Sequence, residues 1–112
     1  MAADHLILYT TLPSEQSAHE LALALVSERL AACAHIHAIA SIYRWKGEVT
    51  RDAEWAVLLK TREDLYDRAA ARIRELHTYE VPEIIAVPIT RGLPEYLAWI
   101  DAATAPEDGP PR

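Results

Sequence analysis

At 112 residues the chain has room for one domain and not for two. Hydrophobic residues make up 51% and charged residues 25%, the balance of a packed globule rather than a disordered chain. The net charge is −6, and the two lysines and nine arginines form no run, which argues against a nucleic-acid module and against a polybasic membrane anchor.

The single cysteine, Cys33, allows no intrachain disulfide and fits a reducing compartment. No basic-then-apolar leader opens the sequence, and no apolar run approaches the ~20 residues of a membrane helix. The expectation is a cytoplasmic protein with neither nucleic-acid nor membrane partners. A core this small is limited by its surface-to-volume ratio, a limit that partner subunits relieve.

In chain order, residues 6–10 form a short apolar run that reads as a buried strand. Pro13 and Ser14 then punctuate the chain, with Ser14 as the N-cap of a helix and Glu15 and Glu20 near its positive end. Ala18, Leu21, Ala22, Leu25 and Ala32 recur at helical spacing, so the helix is expected to run to about residues 30–32.

Over residues 36–60 the period changes to two. Ile42, Tyr43, Arg44 and Trp45 alternate across one strand, Lys46-Gly47 makes a tight turn, and residues 55–59 form the returning strand. The arms are long for so small a domain. Aromatic arms that project past a core are expected to find cover on another chain, which predicts an oligomer.

Thr61 and Asp64 resemble a capping box with Asp in the Glu position, and Leu65, Ala69, Ile73 and Leu76 form the stripe of a second helix ending near His77. Pro82 precedes the apolar strand 84–87, and Pro88 marks its end or a bulge. Gly92-Leu93-Pro94 opens a last short helix with Tyr96, Leu97, Trp99 and Ile100 on its apolar side. The order β-α-β-β-α-β plus a terminal helix is that of an α+β, ferredoxin-like sandwich with a long hairpin. One domain is expected over residues 1–104, with 105–112 as a frayed, proline- and acid-rich tail.

Four stretches carry a resemblance: Glu28-Arg29-Leu30-Ala31-Ala32-Cys33, Ser41-Ile42-Tyr43-Arg44-Trp45-Lys46-Gly47-Glu48, Leu76-His77-Thr78-Tyr79-Glu80-Val81-Pro82-Glu83 and Tyr96-Leu97-Ala98-Trp99. In order and spacing they resemble the CutA family of divalent-cation tolerance proteins over residues 6–101. The resemblance implies a ferredoxin-like fold, a homotrimer in which hairpin arms pair with neighbouring subunits, and an association with copper and other divalent metals. It also implies a fold like that of the trimeric PII small-molecule sensors, an analogy of fold alone. The chain departs from the family at Thr78, where a proline is usual. It departs again at Thr10 and Leu76, where members with proposed copper ligation carry cysteine and histidine. Of that set only His77 remains, and threonine and leucine are not soft-metal ligands.

Within the third stretch, His77 and Glu83 are the expected metal ligands, with Tyr79 and Glu80 beside them in a cleft between subunits. The competing reading is structural: a histidine in a last helical turn favours the helix dipole, and Tyr79 simply packs. Cys33, His35 and His37 fall on one side of a strand, either as a copper or zinc site or as a small buried thiol with histidines on a wet edge. Glu48, Asp52 and Glu54 read as a solvated hairpin face. Tyr43, Trp45 and Trp55 read as subunit contacts rather than a stacking platform. Arg29, Lys60 and Arg62 either hold an anion at a subunit boundary or, in the case of Arg29, pair with a carboxylate.

No phosphate loop, His-Glu-x-x-His pair or nucleophile elbow is present in the sequence. The expected function is therefore that of a trimeric metal-homeostasis protein binding copper or another divalent metal. The alternative is a PII-like small-molecule sensor or protein scaffold. An enzyme is not expected.

Overall fold

A computed structural model describes residues 4–106. Its elements are β1 (His5–Leu12), α1 (Glu15–Ser27), β2 (Cys33–Trp45), β3 (Glu48–Arg62), a 3-10 turn (Glu63–Leu65), α2 (Tyr66–Leu76), β4 (Ile85–Pro88) and α3 (Pro94–Ala103). The strands form one antiparallel sheet in the order β2-β3-β1-β4. This is the ferredoxin-like arrangement that the alternating periods predict.

Alternation sorts the sheet into two faces. Leu8, Leu12, Val57 and Leu59 point to one face and meet Ala18, Leu21 and Leu25 of α1 and Ala69 and Ile73 of α2 in the main core. The opposite face carries Ile7 and Tyr9 beside Lys60 and Leu58, with Ile85 and Val87 at the β4 edge. Helix α3 crosses that face at one end only. There Asp101 Oδ1 lies 2.8 Å from His5 Nε2, Thr104 Oγ1 accepts from Arg62 Nε at 2.9 Å, and Tyr96 Oη is 3.6 Å from Cys33 Sγ.

Helix α1 starts as expected: Ser14 accepts from the Ser17 backbone, and Ser17 reciprocates. Its end differs from the sequence expectation. Ser27 is the last helical residue, Arg29 takes a left-handed conformation at φ 61, and Leu30 donates back to Leu25 O at 2.9 Å. This is a Schellman ending, in which Leu30 folds back onto the core beside Leu25. The apolar spacing runs on past the true end because Leu30 packs after the turn. Ala32 belongs to a second cluster with Ile100 and Ala103 instead.

The capping box expected at Thr61 is also replaced. Thr61 is the fully buried penultimate residue of β3, and its hydroxyl donates to Leu30 O at 2.7 Å. The 3-10 turn follows, and α2 begins at Tyr66 without a side-chain cap. Leu65, Ala69 and Ile73 are buried as the stripe predicts, whereas Leu76 is 37% exposed. At the C-terminal end Ala105 is tied down by Arg29, whose Nη1 donates to its carbonyl at 3.3 Å. The rest of the expected tail, 107–112, lies outside the described residues.

The hairpin turns at Lys46 and Gly47, with φ of 51° and 82° between the paired Trp45 and Glu48. Two positive φ values are those of a type I′ turn, whose twist matches the strands. The long arms stretch the molecule to 50 × 28 × 22 Å. Its radius of gyration is 14.9 Å, against about 13 Å for a compact chain of this length.

Candidate functional site

Where the hairpin leaves the core, its open face and the 77–83 segment enclose a cleft of about 860 Å³. Tyr9 and Thr11 of β1, Ile39 and Tyr43 of β2, Glu54 of β3, and Tyr79, Glu80 and Glu83 line it. The register explains the convergence. Thr11 pairs with Ala56, so Glu54, two residues farther along β3, opens onto the same face just beyond the end of β1.

Glu54 is 6% exposed, and its Oε2 accepts from Tyr79 Oη at 2.7 Å. A carboxylate taken this far from water needs such a partner. Burial, and then the hydrogen bond to Glu54, push the Tyr79 phenol well above its usual 10.0. Tyr9 is raised too, first by burial and then by the charges of Glu83 and Glu54. One strand pair farther out, the Tyr43 hydroxyl donates to Asp52, and that bond raises the Tyr43 phenol. The cleft is therefore an acidic pocket with aromatic walls, in which the phenols remain donors.

His77 caps the end of α2 and is fixed at both ring nitrogens. Nδ1 accepts from the Tyr79 backbone N–H at 3.2 Å, and Nε2 lies 2.7 Å from Thr11 O. A backbone N–H only donates and a carbonyl only accepts, so the partners select the tautomer with its proton on Nε2. The Tyr79 ring lies 4.8 Å from it, centre to centre. His77 thus joins the 77–83 segment to β1 through hydrogen bonds, and a metal would have to break one of them to be ligated.

The remaining expected site residues are distributed elsewhere. Glu83, Glu80 and Tyr79 share the cleft. Lys60 and Arg29 do not reach it. Lys60 Nζ lies 3.2 Å from His35 Nδ1, and Arg29 meets the Ala105 carbonyl rather than a carboxylate. Arg29 and Arg62 instead border a second cavity of about 630 Å³ near the ends of α1 and α3. Tyr43 and Trp45 stand on the exposed arm at 38% and 41% exposure, but Trp55 packs half-buried against the chain's own core.

Cys33, His35 and His37 do share the open face, where they oppose Lys60, Leu58 and Ala56. Among the described residues no three His, Cys, Asp or Glu side chains converge as a metal site. Thr10 is fully buried on the helix-covered face, and its hydroxyl has no partner among the described residues.

Glu54 is the residue that sequence reading missed. With Glu48 and Asp52 it reads from sequence as solvated, but it alone of the three is buried. Its signal was parity: Glu54 keeps step with Ala56 and Leu58 on the face that also carries Tyr9. Tyr9 reads from sequence only as a strand residue, and Thr11 lies just past the expected strand.

Comparison with known proteins adds the family. The CutA1 divalent ion tolerance protein family matches residues 6–103. The chain is 47% identical over 95 residues to the divalent-cation tolerance protein CutA of Thermus thermophilus, covering 84% of this chain and 92% of that protein. It is 41% identical over 100 residues to the chloroplastic CutA 1 of Oryza sativa subsp. japonica, where 88% of this chain spans 56% of the longer relative. The solved periplasmic divalent cation tolerance protein CutA of Archaeoglobus fulgidus superposes with a TM-score of 0.89 at 37% identity, covering 90% of this chain and 99% of that one. Among the described residues no helix is long and apolar enough to cross a membrane. With its four-stranded sheet, its long hairpin and matches over most of its length, the chain belongs to the CutA1 family of divalent-ion tolerance proteins.

Proposed function

We propose that this chain works as a cytoplasmic homotrimer in divalent-cation tolerance, binding its ion in the cleft beside the hairpin and catalysing no reaction. The observation that carries the reading is the buried Glu54 carboxylate, held by Tyr79 and opening with Glu83 onto one cleft. Carboxylate and phenol oxygens are hard donors and favour a hard or borderline divalent ion over cuprous copper. The soft set associated with copper in the family does not fit here, since Thr10 and Leu76 supply no ligand and both nitrogens of His77 are engaged. Glu54 and Glu83 form part of a coordination shell, and a neighbouring subunit at the same cleft completes it.

The trimer is supported by uncovered apolar surface. Ile42, Val49, Ile85 and Val87 are 67%, 63%, 49% and 52% exposed, along the arm and the open sheet face. Patches of this kind mark contact surfaces. Elemental analysis of purified protein, with its mass from light scattering, tests ion and assembly together. A trimer carrying near-stoichiometric metal that is lost in Glu83→Gln and Glu54→Gln is the expected result. A metal-free trimer with no heat on titration of copper, zinc or manganese overturns the ion.

A second reading is a PII-like sensor of a small molecule. The cleft volume of about 860 Å³ favours it, because it falls in the range of small-molecule sites. A metabolite-dependent rise in melting temperature that survives chelation and is lost in Tyr79→Phe would support it over the ion.

A further inference from the structure

The second cavity, about 630 Å³, lies away from the cleft and is bordered by the end of α1, the 3-10 turn with the start of α2, and the end of α3. Arg29, Arg62 and Arg68 line it together with Glu28 and Asp64. The two carboxylates are already committed. Arg72 holds both oxygens of Glu28, at 2.9 and 3.0 Å, and Arg62 holds Asp64 at 3.1 Å. Arg62 also donates to Thr104 Oγ1 at 2.9 Å and Thr104 O at 3.4 Å.

Two guanidinium groups are left over. Arg29 gives a single N–H to Ala105 O, and Arg68 makes no side-chain hydrogen bond among the described residues. Arg29 also occupies the left-handed position after α1, at φ 61, a place that usually goes to glycine. A pocket with two cations that no carboxylate pairs among the described residues is unexpected in a chain of net charge −6.

We infer that this cavity is an anion site for a phosphate-bearing small molecule, gripped by Arg29 and Arg68. Guanidinium forks match paired phosphate oxygens, each offering two parallel N–H donors. The cavity volume exceeds what a bare phosphate needs and suits a phosphorylated metabolite. The site uses none of the cleft residues and stands whether or not the cleft takes a metal.

Calorimetric titration of the full chain with pyrophosphate, at ionic strength matched with chloride, tests it. Saturable binding at one site per chain is expected, weakened about tenfold or more in Arg68→Ala. Arg29→Ala should weaken it as well, although it also frees Ala105. Arg68 bonds to nothing in the fold among the described residues, so its variant isolates the ligand contact. Arg74→Ala, an exposed arginine of α2 outside the cavity, and Glu54→Gln in the cleft should leave binding unchanged. No heat beyond the chloride control overturns the site, as does binding that Arg68→Ala leaves intact. Binding seen only in an E107Q/D108N variant overturns it too, in favour of the chain's own acidic residues.

Discussion

The two halves of the β2–β3 hairpin are one continuous ladder in two different environments. In the proximal half Val57 and Leu59 are fully buried against α1 and α2, and Ala34 and Ile36 pack beside them. In the distal half Ile42, Tyr43, Trp45 and Val49 are 67%, 38%, 41% and 63% exposed. Both halves carry apolar residues, but the distal half sets them among charges, Arg44, Lys46, Glu48, Arg51 and Asp52. The helices stop where the proximal half ends. Backbone pairing carries the strands onward, and the apolar side chains beyond that point have no cover within their own chain. The boundary falls at Glu54, where the cleft opens. A strand can outrun its core when its pairing partner comes with it, and what it then displays is available to other molecules.

Core substitutions in the proximal half should have the largest effect. Leu59→Ala should cost about 2–5 kcal/mol of stability in chemical denaturation, by lost burial and a residual cavity. In the distal half Ile42→Ser should change the stability of the isolated chain by less than about 0.5 kcal/mol. Equal losses at the two positions would break the distinction.

Assembly is the next largest effect. The melting temperature of the wild type should rise with protein concentration, and a Trp45→Ser/Val49→Ser variant should lose that dependence and sediment as a smaller species. A concentration-independent melt of the wild type under reversible conditions would leave the distal half without its proposed cover.

At the boundary, Tyr79→Phe removes the hydrogen bond to a buried carboxylate and should cost about 1.5–3 kcal/mol near neutral pH. The fold holds the Tyr79 phenol above its ordinary 10.0, so its contribution is complete below pH 10 and drains away as pH rises beyond it. The stability gap between wild type and Tyr79→Phe should accordingly stay constant from neutral pH to pH 10 and narrow above it. A gap that widened above pH 10 would place the proton wrongly.

Smaller effects sharpen the picture. Thr10 faces the helices in register with Val57, fully buried, its hydroxyl unsatisfied among the described residues. Thr10→Val should stabilise the chain by about 1 kcal/mol, visible as a higher denaturation midpoint. At the tip, a Cβ on Gly47 would meet nothing within 4 Å, so Gly47→Ala should cost only the backbone strain of a positive φ, about 1 kcal/mol.

Much of the architecture was legible in the residues. The Ser14 cap, the α1 stripe from Ala18 to Leu25, the Lys46-Gly47 turn and Pro94 at the start of α3 all appear where local chemistry predicts them. The errors share one cause. Leu30, Ala32 and Thr61 each carry the right residue type for a helix they do not join, because a contact outside that helix claims them. Leu30 turns back onto Leu25, Ala32 joins Ile100, and Thr61 bonds to Leu30. The site is half legible: the 77–83 motif marks His77, Tyr79, Glu80 and Glu83, whereas Glu54 reads as a solvated acid until the fold buries it.

The sequence alone determined the properties that depend on near neighbours: the order of elements, the turn at Lys46-Gly47, and the family through its motifs. Spacing along the chain encodes these directly, as caps, periods and positive-φ residues. Only the tertiary structure decided which residues meet across the sheet. Register brought Glu54 to Tyr79 from 25 positions away, and turned the His77 ring into a tie between Thr11 and Tyr79. Strand pairing sets that register, and shifting it by one residue would turn Glu54 to the opposite face. The chemistry of the cleft therefore follows from pairing that no local pattern displays.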